Sequence, residues 1–193
     1  MEITSRQMEI IGAAGRILTA SGVSGLTIKN LSKEMHFSES AIYRHFDSKE
    51  GIIVAMLNYL AENIDERLSN LDNLLDPEMR FITLFEEQLN FFNDNPHFVV
   101  AVFSDGLMEE SQLINQTLLK LMNLKNKYLM PIIMDGQQKS IFTNALTTDE
   151  LLHIILGTFK LQMFKWRIAN FEFDIKRNGN NMVQSLLTLI KNK

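Results

Sequence analysis

Residues 27–46 read TIKNLSKEMHFSESAIYRHF and carry the most informative pattern in this chain of 193 residues. Leu31 and Met35 lie four residues apart, so they face the same side of a helix predicted at about 28–35. Thr27 precedes this helix and is a suitable N-cap, because its hydroxyl can accept a hydrogen bond from a free backbone N–H group. The pattern therefore predicts one short helix that ends near Met35.

A second short helix is predicted at about 39–45, after a break in the pattern at His36-Phe37-Ser38. Ser38 is the expected N-cap. Phe37, just before the cap, and Ile42, at the fourth helical position, have the spacing of a hydrophobic staple, which fixes the angle at which the helix leaves the turn. Two short helices joined by a turn of roughly three or four residues match a helix-turn-helix.

The second helix has one apolar face and one polar face. Ala41 and Ile42 lie on the apolar face. The opposite face holds Ser38, Glu39, Ser40, Tyr43 and Arg44. Isolated helices shorter than ~12 residues are marginal in water, so this helix must pack on its neighbours and turn its polar face outward. A short polar helix that faces solvent has dimensions suited to the major groove of DNA.

The rest of the chain also predicts helices. Apolar residues make up 46% of the sequence, and only 3 Pro and 9 Gly are present to interrupt helices. Alternating patterns of strand type are nearly absent, so we expect an all-α fold of about nine helices. Their approximate ranges are 4–21, 28–35, 39–45, 47 or 48–74, 77–93, 96–104, 111–134, 148–170 and 175–192.

Local signals support several of these boundaries. Gly22 is a natural stop for the first helix, and Pro77 is typical of a first helical position. Thr147-x-x-Glu150 has the spacing of a capping box. The dipeptides Asp105-Gly106 and Asp135-Gly136 are typical of turns.

Composition limits the compartment and the chemistry. The chain has no Cys, which excludes disulfides and thiolate metal sites and suits a reducing cytoplasm. The N-terminal residues MEITSRQMEIIGAAG lack a basic region followed by an uninterrupted apolar stretch, so we expect no signal peptide. No segment approaches the ~20 apolar residues of a membrane span. We therefore expect a cytoplasmic protein with no membrane partner.

The charge distribution is unusual for a protein that binds DNA. The net charge is −4. Residues 1–50 contain six Lys or Arg and six Asp or Glu, so this part of the chain is neutral. DNA binding must therefore depend on where a few cations lie, and not on a bulk positive charge.

Between Arg6 and Leu57 the chain resembles the DNA-binding region of the TetR/AcrR family of transcriptional regulators. The matching segments are Ile11-Gly12-Ala13-Ala14, Gly22 to Thr27, Ile42-Tyr43-Arg44-His45-Phe46 and Ser48-Lys49-Glu50. The resemblance implies a helix-turn-helix DNA-binding domain of three helices at residues 1–49, with its motif at about 27–46. A helical ligand-binding and dimerisation domain would follow at residues 50–193.

The same resemblance implies a function. The protein would bind a palindromic operator in double-stranded DNA as a homodimer, act as a repressor by default, and be released by a small hydrophobic effector. The positions implied to contact DNA are Thr27, Lys29, Ser38, Glu39, Ser40, Ala41, Tyr43, Arg44, His45 and Lys49. Tyr43 and Lys49 would meet phosphates, and the forked guanidinium of Arg44 would match the two acceptors of guanine.

Other interpretations of these residues stay open. Tyr43 can be a core aromatic residue, and Arg44 and Lys49 can be ordinary surface charges. His36 stands where the family usually has Gly, so it is expected to adopt a positive φ angle. Glu39-Ser40 replaces the usual start of the recognition helix, and Glu39 would repel phosphate but could accept a hydrogen bond from cytosine.

The whole chain has 13 Phe and 11 Met. These two residue types dominate its C-terminal half. Most of these residues must be core, but together they suggest an apolar cavity between helices. The candidate lining residues are Phe85, Phe92, Phe103, Met122, Met130, His153, Phe159 and Met163. His153 can also be a polar group satisfied in the interior or at an interface.

The last two predicted helices carry more apolar residues than are needed to pack one helix face against the core. The candidate dimer-interface residues are Ile154, Leu161, Phe164, Trp166, Met182, Leu186 and Leu189. Packing within one subunit is the alternative. In the family the equivalent pair of helices forms a four-helix bundle with its twin, and two recognition helices ~34 Å apart require such a two-fold axis.

The chain has no pattern typical of an enzyme. Its four His residues, at positions 36, 45, 97 and 153, lack metal-ligand spacing, and no Gly-rich phosphate loop is present. We therefore expect no catalytic residues, no metal and no cofactor. The alternative function is a helical lipid-binding or scaffold protein with a degenerate helix-turn-helix, which the neutral N-terminal part and Glu39 favour.

Overall fold

The computed structural model describes residues 3–69, 71, 76–103, 105–108 and 111–192. These residues form ten helical segments and no strand, which confirms the all-α prediction. The segments are α1 (Ser5–Gly25), α2 (Ile28–Met35), α3 (Glu39–Tyr43), α4 (Lys49–Leu68), α5 (Pro77–Asp94), α6 (His97–Phe103), α7 (Asp105–Met108), α8 (Gln112–Gln138), α9 (Thr148–Ile168) and α10 (Ile175–Ile190).

The described residues group into two compact units. The first unit draws on residues 1–61 and 96–121, and the second draws on residues 62–95 and 122–193. The chain passes from the first unit to the second after residue 61, inside α4, and again after residue 121, inside α8. The division of roles predicted at residue 50 concerns function, and it stays a prediction.

Helix α1 supplies the core of the first unit. It begins with a capping box, in which the Thr4 hydroxyl accepts from the Gln7 N–H group and the Gln7 side chain accepts from the Thr4 N–H group. Its buried stripe includes Ile10, Ala14 and Leu18, each with no exposed surface. The predicted break at Gly22 is present: its φ angle is 65°, and a further turn of helix follows before α2.

Helix α6 packs on α1 through an imidazole ring. A Cβ atom added to Gly15 would lie 2.6 Å from Cδ2 of His97, so only glycine lets the ring approach this closely. Burial, together with the smaller effect of the positive charge of Arg16, lowers the pKa of His97 to about 4. His97 is therefore neutral near pH 7, and Phe98 extends the cluster by stacking on Tyr59 with 6.1 Å between ring centroids.

Helices α5 and α10 pack closely in the second unit. A Cβ atom added to Gly179 would lie 2.3 Å from Cδ2 of Leu89, so the glycine brings the two helices together. Phe81, Phe85 and Phe159 fill the neighbouring core, with 4.9 Å between the first two ring centroids and 5.4 Å between the last two. Such tilted aromatic contacts favour a well-defined core.

Two predicted turns are wrong. Asp135-Gly136 lies inside α8, which extends to Gln138 rather than ending near residue 134. Glycine is needed at position 136 for packing and not for a turn, because a Cβ atom there would lie 2.0 Å from the Phe142 ring. Asp105-Gly106 lies in the short helix α7.

Other predicted boundaries agree more closely. The capping box of Thr147 and Glu150 is present at the start of α9, and it lowers the pKa of the Glu150 carboxyl through hydrogen bonds to Thr147. The predicted ends at Leu74 and Ser104 lie outside the described residues. Within the part of the chain that the structure describes, no helix is both long enough and apolar enough to cross a membrane.

The lowered pKa of His97 predicts a pH-dependent stability. The unfolded chain binds a proton at His97 as the pH falls below about 6.5, whereas the folded protein does so only near pH 4. Folding stability should therefore decrease as the pH falls from 6.5 to 4. Urea unfolding at pH 7 and pH 5 should give a smaller difference for His97→Phe than for the wild type. His45→Gln, which removes an exposed imidazole, should keep the wild-type difference, and equal differences in all three proteins would contradict the prediction.

Gly179→Ala should destabilise the second unit. The added methyl group must displace Leu89, and overpacking of this kind costs about 1–3 kcal/mol. The measurement is the free energy of unfolding in urea. Gly12→Ala is the matched control, because its Cβ would meet only Arg16 Nη1 at 3.9 Å. That change in a helix should leave stability equal or raised by about 0.5–1 kcal/mol; a similar loss for both variants would contradict the close-approach argument.

Candidate nucleic-acid interface

The helices α2 and α3 begin at the predicted caps. The Thr27 hydroxyl accepts from the Asn30 N–H group at 3.1 Å, and the Ser38 hydroxyl accepts from the Ala41 N–H group at 3.2 Å. Each cap satisfies a backbone donor that has no partner within its own helix. The Ser38 hydroxyl also lies 2.9 Å from the hydroxyl of Ser40.

The turn between the two helices depends on His36. Its φ angle is 56° and its ψ angle is 39°, which places it in the left-handed region, as predicted. This conformation ends α2 and lets the Phe37 N–H group donate to the Ser32 carbonyl at 2.9 Å. The resulting arrangement is a helix C-cap of the kind that glycine usually provides.

Helix α3 is held by its apolar residues and presents its polar ones. Ile42 is fully buried and Phe46 is 8% exposed. Ala41 is half-buried. The exposed residues around them are Ser38, Glu39, Ser40, Tyr43, Arg44 and His45. Tyr43 is 48% exposed, which opposes its interpretation as a core aromatic residue.

Three contacts that hold the motif were not predicted from the sequence. The Gln7 side chain donates to the carbonyl of His45 at 3.2 Å, and the Asn30 side chain donates to the carbonyl of Gly25 at 2.9 Å. The Arg6 guanidinium lies 5.1 Å from the centre of the Phe37 ring. Gln7 and His45 are 38 residues apart in the chain. No local pattern could therefore have indicated that the Gln7 side chain meets the His45 backbone.

The cations of this surface are few. Lys29 and Lys33 are exposed and lie four residues apart on α2, so they share one face. Lys33 was not among the predicted contacts, although the same i,i+4 spacing would have found it. Arg16 is already paired with Glu34 at 2.8 Å and therefore adds little free positive charge. Glu39 adds a negative charge at the first turn of α3.

The start of α4 lies next to this surface in the chain. The sequence allows either Asp47 or Ser48 as the cap of this helix, and the Ser48 hydroxyl accepts from the Gly51 N–H group at 3.0 Å, so Ser48 is the cap. Lys49, the first residue of α4, is half-buried. The backbone of Lys49 therefore belongs to a capped helix and not to a loop.

The second unit contains a small apolar cavity with room for about one water molecule. Its lining residues are Leu68, Leu84, Phe85, Gln88, Leu129, Leu156 and Phe159. Phe85 and Phe159 are the two predicted pocket residues that the structure brings together here. Gln88 was not predicted, and it is the one polar residue among these lining residues.

The other six predicted pocket residues lie elsewhere. Phe92 and Met163 are fully buried in the core, and Met130 is half-buried. Met122 and His153 are exposed. Phe103 belongs to the first unit.

The predicted interface residues divide by burial. Four of them are exposed: Ile154, Leu161, Phe164 and Leu189, with exposed fractions of 44%, 51%, 39% and 72%. Met182 is half-buried. Trp166 and Leu186 are buried within the unit, and the Trp166 indole donates to the Phe173 carbonyl at 3.0 Å. Any interface with a partner must therefore use the four exposed residues first.

A metal site has no support in the described ranges, where no group of three or more His, Cys, Asp or Glu residues could hold a metal ion. The exposed surface of α2 and α3 instead offers hydroxyl, amide, ammonium and guanidinium groups. These are the groups that bind phosphate oxygens and base edges in DNA.

Comparisons with known proteins agree with this interpretation. Residues 10–56 match the family model described as bacterial regulatory proteins, tetR family. The nucleoid occlusion factor SlmA of Vibrio campbellii is 27% identical over 190 residues, which cover 97% of each chain.

Two solved structures share the fold. The fatty acid degradation regulator FadR from Bacillus halodurans has a TM-score of 0.85 with 18% identity, covering 97% of each chain. The transcriptional regulator FadR from Bacillus subtilis, solved in complex with stearoyl-CoA, has a TM-score of 0.80 with 15% identity, covering 94% of this chain and 97% of that one. Residues 10–56 thus resemble the tetR family of bacterial regulatory proteins, and the chain shares its fold with these two solved regulators.

Proposed function

We propose that this protein is a ligand-responsive transcriptional repressor that acts in the cytoplasm. It binds a palindromic operator as a homodimer, and a small apolar effector releases it. Residues 1–49 bind DNA, and residues 50–193 bind the effector and the second subunit. The observation that carries the proposal is the outward face of α3 and the two residues after it: Tyr43, Arg44 and His45 are exposed while Ile42 is fully buried.

The DNA contacts divide into two kinds. Lys29, Tyr43 and Lys49 bind phosphates and position the protein, and Thr27 adds a hydroxyl at the start of α2. The exposed residues at the start of α3, Glu39 and Ser40, lie over the base edges, and so does Arg44. Because the surface has few cations, its affinity for DNA depends on how well those cations meet phosphates. The same small number of phosphate contacts means that the affinity should fall only modestly as the salt concentration rises.

The second subunit packs on the exposed stripe of α9. Ile154, Leu161 and Ile168 recur every seven residues, and Phe164 follows Leu161 by three. This spacing keeps all four on one face of the helix. Apolar residues that are 39–65% exposed in one subunit are better explained by a partner than by solvent. Leu189, which is 72% exposed on α10, would extend the same surface.

Effector binding would act through α4. This helix begins at Lys49, next to the DNA-binding motif in the chain, and its last residue, Leu68, lines the cavity of the second unit. A ligand that favours one position of α4 changes the separation of the two recognition helices and weakens operator binding. The size of the effect equals the difference in ligand affinity between the two conformers.

A second function is favoured by the relatives that match nearly the whole chain, which are named as nucleoid occlusion factors. Such a role would use the same DNA-binding face. It differs from repression in its targets, because a factor that acts on the nucleoid needs binding sites across the chromosome. Chromatin immunoprecipitation distinguishes the two: one or a few promoters support repression, and many dispersed sites support nucleoid occlusion.

The decisive experiment is a gel-shift titration with DNA from upstream of the protein's own gene, at low and moderate salt. Binding of a dimer to one fragment, in preference to unrelated DNA of equal length, supports the proposal. A folded dimer that binds no promoter fragment even at low salt would favour a helical lipid-binding or scaffold protein with a degenerate helix-turn-helix.

Single substitutions on α3 and α4 should separate base contacts from phosphate contacts. Arg44→Ala should relax the preference at one base position and cost about 1–3 kcal/mol on the operator. Tyr43→Ala and Lys49→Ala should weaken binding to all sequences alike. The measurement is binding to a library of operator variants. Lys120→Ala, which removes an exposed cation from α8, is the control and should bind as the wild type does; an unchanged preference in Arg44→Ala would remove it from base recognition.

A charge in the α9 stripe should separate the subunits. Leu161→Glu places a carboxylate where a partner would bury it, so the dimer dissociation constant should rise at least ~100-fold and operator affinity should fall with it. Light scattering coupled to size-exclusion chromatography measures the mass. Met79→Glu puts the same charge on another exposed apolar position, on α5 outside the stripe, and should remain dimeric. A Leu161→Glu protein that remains dimeric would exclude this interface.

A further inference from the structure

The first turn of α1 contacts both ends of α3. The Arg6 guanidinium lies 5.1 Å from the centre of the Phe37 ring, and Phe37 directly precedes the cap Ser38. The Gln7 side chain donates through Nε2 to the carbonyl of His45 at 3.2 Å, beyond the last residue of α3. Two neighbouring side chains of α1 therefore hold the start and the end of a helix that has five residues and would be marginal alone.

The bond to His45 holds the turn that carries Arg44. The N–H groups of His45 and Phe46 both donate to the Ile42 carbonyl, at 2.9 Å and 3.1 Å. Ile42 and Phe46 are buried, whereas Arg44 between them is exposed. The Gln7 amide thus ties this turn to α1, and it restricts the direction in which the Arg44 side chain leaves the backbone.

Gln7 uses the two ends of one amide for two contacts. Its Oε1 atom accepts from the Thr4 N–H group at 3.0 Å and lies 3.1 Å from the Thr4 hydroxyl, which completes the capping box of α1. Its Nε2 atom is left to donate to His45. Glu, the other residue typical of this position in a capping box, accepts as well as Gln but has no donor when it is ionised. The cap alone therefore does not require an amide at position 7, and the contact with His45 does.

We propose that Gln7 is a positioning residue for base recognition, because its amide holds the end of α3 so that Arg44 meets the base edges in register. This inference rests on the proposed function and adds to it a residue that acts on specificity through Arg44. Groups that recognise a ligand must be held within about 0.5 Å of their productive positions. Non-specific binding requires only that cations lie near phosphates. Loss of the Gln7 donor should therefore lower the preference for the operator more than the affinity for DNA in general.

The first test measures the contact without DNA. Amide hydrogen exchange of the full-length protein, followed by NMR, reports the protection of the His45 and Phe46 N–H groups. Gln7→Glu keeps the acceptor and loses the donor, whereas Gln7→Lys keeps a donor and loses the acceptor. Protection should fall about three- to tenfold in Gln7→Glu, as expected for the loss of one hydrogen bond, and should fall less in Gln7→Lys.

A role limited to the α1 cap predicts the opposite order of the two variants. An acceptor at the third helical position completes the capping box, and the helix dipole favours a negative charge there over a positive one. Gln7→Glu would then protect the two N–H groups as well as Gln7→Lys does, or better, and either result would overturn the proposal. Circular dichroism and the amide protection of α10 establish that each variant is folded.

The second test measures specificity. Fluorescence anisotropy gives the dissociation constants for the operator fragment and for unrelated DNA of equal length, and their ratio should fall about three- to tenfold in Gln7→Glu. Ser5→Glu is the matched control, because it makes the same change in charge at an exposed position in the same turn of α1. It should weaken binding to both DNAs alike and keep the ratio. A ratio that Gln7→Glu keeps, or that Ser5→Glu lowers equally, would overturn the proposal.

The two tests separate this inference from the proposed function. Amide protection that depends on the Gln7 donor, in a protein that prefers no promoter fragment over unrelated DNA, would overturn the regulatory function alone. A clear operator preference that Gln7→Glu does not alter would overturn the positioning role alone.

Discussion

The burial of Ile42 is the contact on which the DNA-binding surface depends. Helix α3 has only five residues, far fewer than an isolated helix needs for stability in water. It forms because Ile42 is fully buried, Phe46 is nearly so, and Ser38 caps the first turn. Once Ile42 points inward, the helical period turns Tyr43 outward with the polar residues around it. The same contact thus stabilises the helix and decides which side chains can reach DNA.

The neutral charge of the N-terminal part is consistent with this arrangement. A surface with a large positive charge binds any DNA, whereas one with few cations binds well only where those cations meet phosphates in register. Lys29 and Lys33 share a face of α2, while Arg16 is paired with Glu34. The remaining affinity must come from the exposed residues of α3, from Arg44 just after it, and from Thr27 and Lys49. Specificity is then a larger fraction of the total binding energy than it is in a basic domain.

Local patterns predicted the first unit well because its boundaries are decided by neighbouring residues. The caps at Thr27 and Ser38, the left-handed His36 and the break at Gly22 all follow from one or two residues and the backbone angles they permit. The exposed character of α3 also followed from its period. These features need no knowledge of distant parts of the chain.

Contacts between distant residues could not be predicted in this way. Gly136 looked like a turn because it follows Asp, yet it lies inside α8 and makes room for the ring of Phe142. The pairing of Gly15 with His97 and the burial of Gln88 depend on which helices pack together. The sequence indicated an abundance of Phe and Met, but which of them meet in a cavity is a property of the packed helices. Phe85 and Phe159 meet there, and Met122 is exposed.

The position of Leu68 gives the regulatory proposal its physical form. A ligand shifts a conformational equilibrium only through contacts that differ between the conformers. Of the residues that line the cavity, Leu68 is the one on α4, and α4 is also the helix that begins at Lys49. The other lining residues belong to α5, α8 and α9, so they can bind a ligand tightly without affecting α4. A ligand that packs against Leu68 as well as against residues of the other helices has both affinity and a contact that can differ, and coupling energies of about 1–3 kcal/mol are then within reach of one apolar side chain.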